Sequence, residues 1–224
     1  MDKRRGYQAS NVYKTLKKMI ITLELKPGDV LKEQSLATQL GVGRTPIREG
    51  ILALKTEGLV ESHPNESPFV KNITLKGVRD FFEPFLAIER LTGRLAAQNM
   101  SAGQLKKIKD THQVLKNHCD AKNYLCIADE NRKLHTLIAE ATENEYLIFF
   151  HENLRDKAER LAYLAISAEI KSLIPLERHY EEMCTQHNNI IAKLENHDVK
   201  VVELIEEHVK LFQKRIMIYL QASL

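Results

Sequence analysis

From residue 75 to the end, apolar residues recur at the three-and-four spacing of helix faces and nowhere alternate with the two-residue period of a strand. A stretch of that length can bury its stripes only by packing helix on helix, which predicts an antiparallel all-α bundle. Helical segments are expected at about 75–82, 85–99, 102–119, 123–142, 145–170, 176–195 and 198–222. They are separated by Pro84, Ser101, Asn123, Asn144, Pro175 and Asp198, residues that stop or cap helices. Thr74 is a good N-cap and marks the boundary with what precedes. Pro84 reads equally as a hinge or as a rigid corner between two packed helices. The run Leu161-Ala162-Tyr163-Leu164-Ala165-Ile166 is too apolar to be solvated on one side, which points to a subunit interface.

The first 73 residues follow a different pattern. Asn11 can cap a helix whose Val12, Leu16, Met19, Ile20 and Leu23 share one face, and Lys26-Pro27-Gly28-Asp29 can stop it. A short second helix is expected from Glu33 to Leu40, with Leu36, Ala37 and Leu40 inward. Gly41-Val42-Gly43 is a turn, and a third helix runs from about Arg44 to Glu57 with Ile47, Ile51, Leu52 and Ala53 facing the core. Pro46 sits in its first turn, where the missing N–H costs nothing. After Gly58, residues 59–62 and 68–73 read as two short strands. Three helices and a hairpin describe a winged helix-turn-helix. The chain is therefore expected to be mainly α, with residues 1–73 forming a DNA-binding domain and residues 74–224 a helical bundle.

Charge agrees with this division. Residues 1–76 hold thirteen of the 33 Lys and Arg but only eight of the 30 Asp and Glu, so the first unit is basic and the remainder slightly acidic. A basic module suits a polyanionic partner. No apolar run approaches the length of a membrane span, and the N-terminus carries positive charge with no hydrophobic stretch behind it, so neither membrane insertion nor export is expected. Cys119, Cys126 and Cys184 are scattered and odd in number, which reads as reduced thiols in a cytoplasmic protein.

Arg44 and Arg48 fall four residues apart at the N-terminal end of the third helix, the part of a recognition helix that enters the major groove, where an Arg fork matches O6 and N7 of guanine. Thr45 can offer its hydroxyl and N–H to a phosphate. The segment from Leu36 to Glu49, LATQLGVGRTPIRE, closely resembles the helix-turn-helix of GntR-type bacterial transcription regulators, as does Leu25-Lys26-Pro27-Gly28-Asp29-Val30-Leu31 before it. The resemblance covers roughly residues 10–73. It implies double-stranded operator DNA as partner, contacted by Arg44, Thr45, Arg48, Lys32 and Gln34, and by His63, Asn65 and Lys71 of the wing. Gly43 stands where the family usually has Ser, which removes a cap, and Glu66-Ser67 stands where the wing tip usually has a basic residue and Gly.

In the second unit, Asn131 and His135 are one helical turn apart, while Asp129 lies on another face. His187 and His208 fall on two later helices among apolar neighbours. Three imidazoles and an amide oxygen from three helices can converge on one divalent ion, zinc, manganese or nickel; ordinary core or surface histidines produce the same spacing. The order of these segments resembles the FadR-type ligand-binding (FCD) domain that follows a GntR head. The resemblance implies a metal held by Asn131, His135, His187 and His208, and a small-molecule effector. Asp usually occupies the place of Asn131, so a metal is expected to be held less tightly. An early-helix Arg that often anchors a ligand carboxylate corresponds to Phe85, which leaves Arg90, Arg94, Arg155 and Arg160 as candidate effector-binding residues.

The expectation is a sequence-specific DNA-binding transcription regulator, not an enzyme, acting as a homodimer on a near-palindromic operator and answering to a small-molecule effector. Two other classes fit part of the pattern: a metal-dependent enzyme using the histidine site, and a constitutive architectural DNA binder.

Overall fold

The computed structural model describes residues 2–167 and 176–222. The chain divides into two compact units, Met1–Ile73 and Thr74–Leu224.

The first unit contains α1 (Asp2–Ile21), α2 (Glu33–Leu40), α3 (Arg44–Thr56), β1 (Val60–Glu61) and β2 (Phe69–Val70). Val12, Leu16, Met19 and Ile20 of α1 meet Leu36, Ala37, Ile47, Ile51 and Leu54 in one core, closed by Leu59, Val60 and Val70. Burial of this kind contributes about 1.5–3 kcal/mol per large side chain and holds elements too short to be stable alone. Gly50 lets α3 lie against α1, since a Cβ there would stand 3.1 Å from Val12 Cγ1. Gly41 closes α2 in the left-handed region at φ 64, a conformation without penalty only for glycine.

Several expected details differ. The first helix starts well before Asn11 and ends at Ile21, and Leu23 adopts φ 62 instead of extending the apolar stripe. Leu52 is 62% exposed, because the inward face of α3 runs through Ile47, Ile51 and Leu54. The hairpin pairs Val60 with Val70 and Glu61 with Phe69, and Val30 forms an isolated antiparallel bridge to Phe69.

The second unit is all-helical over the described residues: α4 (Leu75–Asn99), α5 (Ala102–Asp120), α6 (Tyr124–Glu140), α7 (Glu145–Ser167), α8 (Leu176–Glu195) and α9 (Val201–Ala222). Thr74 Oγ1 accepts from the Gly77 amide at 3.0 Å and caps α4. Ser101 and Gln104 form a reciprocal capping box at the start of α5. The residues expected to end the fifth bundle helix near 170, and Pro175, lie outside the described residues.

Pro84 neither hinges nor turns the chain, since α4 is one helix through it. Its ring faces solvent, where water can satisfy the carbonyl it frees, while Val78, Phe82, Phe85, Glu89, Thr92 and Ala96 form one buried stripe on both sides of it. α4 packs on α6, α7, α8 and α9. At Gly93 α4 lies close to α9, since a Cβ there would stand 2.0 Å from Ile205 Cδ1. The apolar run 161–166 is largely turned inward: Leu161 and Tyr163 are buried, and Ala162, Ala165 and Ile166 line a cavity. The three cysteines are free thiols, yet Cys119 and Cys184 are not scattered in space, with their Sγ atoms 3.3 Å apart. Among the described residues no helix is long and apolar enough to cross a membrane.

Candidate functional site

The basic unit presents its candidate residues on one exposed set of elements. Lys32, Gln34, Arg44, Thr45 and Arg48 are all solvent-exposed on α2, α3 and the approach to them. Arg44 Nε donates to Gln34 Oε1 at 2.6 Å, and Arg48 Nε lies 2.8 and 2.7 Å from the two carboxylate oxygens of Glu33. Both arginines are thus aimed from α2 while their side chains stay solvent-exposed. Gly43 caps α3 without a side-chain hydrogen bond, and the first turn of α3 carries no acidic residue, so its amides retain the anion-attracting character of a helix start. In the wing, His63, Asn65 and Lys71 are exposed. The His63 ring packs 5.4 Å from that of Phe69, Asn65 turns the tip at φ 64, and Lys71 pairs with Glu61 at 2.9 Å.

The second unit brings three of its candidate residues together. His135 of α6, His187 of α8 and His208 of α9 are buried, and one nitrogen from each lies within 4.8 Å of the others. The Nε2 atoms of His187 and His208 are 3.3 Å apart. His208 Nδ1 lies 2.9 Å from Gln186 Oε1, which, as an acceptor, places the proton on Nδ1 and leaves the Nε2 lone pair facing His187. His135 Nδ1 lies 3.7 Å from Glu89 Oε2. Burial, reinforced by Arg155, holds His208 down to about 4. Burial with Arg155 and the neighbouring imidazoles keeps His135 and His187 well below the usual histidine range. All three are therefore neutral at pH 7, the form that ligates a metal.

Asn131 Oδ1, His135 Nε2 and His187 Nδ1 are buried without a hydrogen-bond partner. Two imidazole nitrogens held by one divalent ion at about 2.1 Å stand roughly 3–3.4 Å apart, a spacing matched by the 3.3 Å between His187 and His208. The residues present thus fit a divalent cation. Asp129 is turned away, as its face of α6 requires, and accepts from Tyr163 Oη at 2.9 Å.

A partly open cavity of about 70 Å³ adjoins this cluster. Asn131 and His208 form part of its wall with Phe85, Arg155, Tyr180 and Met183. His135 and His187 instead border a smaller cavity of about 10 Å³. Of the four candidate anchors for an effector, only Arg155 lines the larger cavity. Arg160 is buried nearby in sequence but is not part of the wall. Arg90 and Arg94 are exposed and belong to neither cavity, because they follow the buried positions Glu89 and Gly93 by one residue and so turn about 100° off the inward stripe. Arg90 pairs with Glu206 on the surface at 2.9 Å.

The sequence reading missed a buried ionic group beside the histidines. Glu89 Oε1 lies 2.8 Å from Arg155 Nη2 and 3.1 Å from His151 Nε2, all three side chains nearly inaccessible to solvent. Burial alone would push the Glu89 carboxyl up, but Arg155 and His151 outweigh it and hold it down to about 2. The Arg155 guanidinium of α7 sits 5.1 Å over the ring of Phe85, the residue that corresponds to the early-helix Arg of the resemblance. Arg132, paired with Asp156 at 2.6 Å and Glu159 at 2.7 Å, also reaches the cavity. The available signal was a charged residue on an otherwise apolar stripe, Glu89 after Phe82 and Phe85.

Residues 8–70 match the model of bacterial regulatory proteins of the gntR family, and residues 80–211 match that of the FCD domain. The chain belongs to the GntR family. Among similar proteins, the HTH-type transcriptional regulator YdhC of Bacillus subtilis is 25% identical over 88% of this chain and 92% of its own length. The HTH-type transcriptional repressor RspR of Escherichia coli is 23% identical over 86% of this chain and 81% of its own. Among solved structures, E. coli McbR/YncC superposes with a TM-score of 0.79 at 20% identity, covering 96% of this chain and 98% of that one. This GntR protein is thus a DNA-binding transcription regulator with a winged helix-turn-helix head and an FCD domain.

Proposed function

We propose that this GntR protein is a sequence-specific regulator whose FCD domain senses a small molecule at a divalent cation site, and that it acts as a homodimer in the cytoplasm. The observation that carries the sensing role is the convergence of three neutral, buried histidines from α6, α8 and α9 beside a partly open, mainly apolar cavity. His135, His187 and His208 hold the cation, with the Asn131 amide oxygen as a weaker fourth donor. The bound cation supplies a positive centre for a polar effector group. Gln186 orients the ring nitrogen of His208 that faces away from it, a support that tunes ligand basicity. Arg155 offers a second polar anchor, and the aliphatic and aromatic wall suits an apolar portion of the effector.

In the head, Arg44 and Arg48 read bases in the major groove, Thr45 and the α3 amides hold a phosphate, and Lys32, Gln34, His63, Asn65 and Lys71 fix the register. An effector alters operator affinity only through different affinity for two arrangements of the paired heads. Dimerisation is supported by Tyr146, Phe149 and Phe150, which follow one another on one face of α7 and are 72%, 61% and 54% exposed.

The test loads chelated protein with zinc, manganese or nickel, measures metal per chain by mass spectrometry, and titrates the same samples against DNA selected from a random pool. Stoichiometric metal lost in His135→Ala and His187→Ala, and tightened in Asn131→Asp, is the expected result. Each of Arg44→Ala and Arg48→Ala should cost on the order of 1–3 kcal/mol on the selected DNA. Equal affinity for selected and random DNA would mean an architectural binder, and absence of metal from both wild type and Asn131→Asp would remove the cation from the reading.

A further inference from the structure

Cys119 lies in the last turn of α5 and Cys184 midway along α8, separated by 65 residues of chain, yet their sulfurs touch at 3.3 Å. They sit in a small core of Leu115, Ile127, Tyr180 and Met183, with Cys119 half-buried and Cys184 8% exposed. A thiol is a weak hydrogen-bond donor, so two aliphatic side chains would pack this site as well. What a pair of thiols adds is the capacity to form a bond. The disulfide length of about 2.05 Å requires the sulfurs to close by little more than an ångström, shared between two side chains.

We propose that Cys119 and Cys184 form a peroxide-sensitive dithiol, which closes to an intramolecular disulfide tying α5 to α8 at the edge of the histidine cluster.

The two sulfurs are not equivalent. The hydrogen bond from Cys119, together with His112 and Lys116, lowers the Cys184 thiol against the effect of burial, while the same hydrogen bond pushes Cys119 up. Cys184 is therefore the attacking sulfur. Its thiolate adds to one oxygen of hydrogen peroxide, the O–O bond breaks, and the departing hydroxide takes a proton to become water, leaving Cys184 as a sulfenic acid. Cys119 then attacks the sulfenic sulfur. The S–O bond breaks, the oxygen leaves as a second water with the Cys119 proton, and the S–S bond forms. Two thiols and one peroxide give one disulfide and two waters.

The tie matters because of where it falls. Cys184 precedes His187 by three residues on α8, and the His112 ring of α5 packs 5.6 Å from that of His187. Tyr180 and Met183, on the same helix, line the larger cavity. Oxidation fixes α8 to α5 just where α8 presents a proposed ligand and part of the cavity wall.

The full-length chain, reduced and freed of metal, is exposed to a small molar excess of hydrogen peroxide, capped with N-ethylmaleimide and analysed by intact mass and peptide mapping. Expected are one maleimide adduct instead of three, that adduct on Cys126, a cross-linked Cys119–Cys184 peptide, and reversal by dithiothreitol. Cys126→Ser should still form the cross-link. In Cys119→Ser the sulfenic acid at Cys184 persists and is trapped by dimedone, provided circular dichroism shows the variant folded. The wild-type map decides the matter without any variant. Three capped cysteines after peroxide, or only bonds that involve Cys126 or join two chains, would overturn the proposal.

Discussion

Replacing Glu89 with Gln removes the only formal negative charge within the buried Glu89–Arg155–His151 group while keeping its volume. The carboxyl is held at about 2, against 4.5 for a free glutamate, a preference for the ionised form worth about 3 kcal/mol. Removing one partner from a buried pair generally costs about 3–5 kcal/mol, because the other charge stays buried and uncompensated. For a bundle of this size that corresponds to a fall in melting temperature of roughly 10 °C. The assay follows helical circular dichroism on heating, with metal chelated, from neutral pH down to about pH 3. Since the folded carboxyl titrates below the unfolded one, its contribution is fully present above about pH 4.5 and is lost as pH falls toward 2. Glu89→Gln should therefore melt well below wild type at neutral pH and approach it in acid, and Glu89→Gln with Arg155→Met should recover most of the loss. A single variant within 2 °C of wild type at neutral pH, with an unchanged acid limb, would refute the view that this ion pair holds α4 to α7.

Gly93→Ala places a methyl 2.0 Å from Ile205 Cδ1, so it should lose about 1–3 kcal/mol by overpacking, measured by urea unfolding, with Ile205→Val restoring part of it. Glu33→Gln frees Arg48 from its carboxylate. It should tighten binding to random duplex DNA several-fold and steepen the salt dependence by up to about one phosphate contact, read by fluorescence anisotropy across a salt series; unchanged random-DNA affinity would show that the pair has no influence on binding.

The local rules were legible. The stripe Val12, Leu16, Met19, Ile20 and the turn Gly41-Val42-Gly43 depend on neighbours in sequence, and the structure places them as read. Pro84 shows where local rules yield to tertiary packing: the ring breaks one hydrogen bond, but the buried residues before and after it lie on the same face and carry the helix through. Leu52 was assigned inward because it is apolar, although the stripe of α3 had already been filled by Ile51 and Leu54. The three histidines were legible through the resemblance of their segments to the FCD domain, since their spacing alone fits ordinary core histidines equally. Glu89, His151 and Arg155 were not grouped, because each is unremarkable on its own helix and the group exists only where α4 meets α7. The same holds for Arg90 and Arg94, whose outward direction follows once Glu89 and Gly93 are known to face in.

In the proposed reading, the contact between Arg48 and Glu33 gives that arginine an internal rival for an anion that approaches it. A phosphate on arbitrary DNA offers Arg48 little more than the carboxylate already there, so that exchange gains almost nothing and non-specific encounters stay brief. Guanine in register offers a planar two-point acceptor that matches the guanidinium fork. If Arg48 reads a base as proposed, Glu33 would weigh against the many wrong sites on a chromosome more than against the right one, and part of the head's selectivity would appear as search speed.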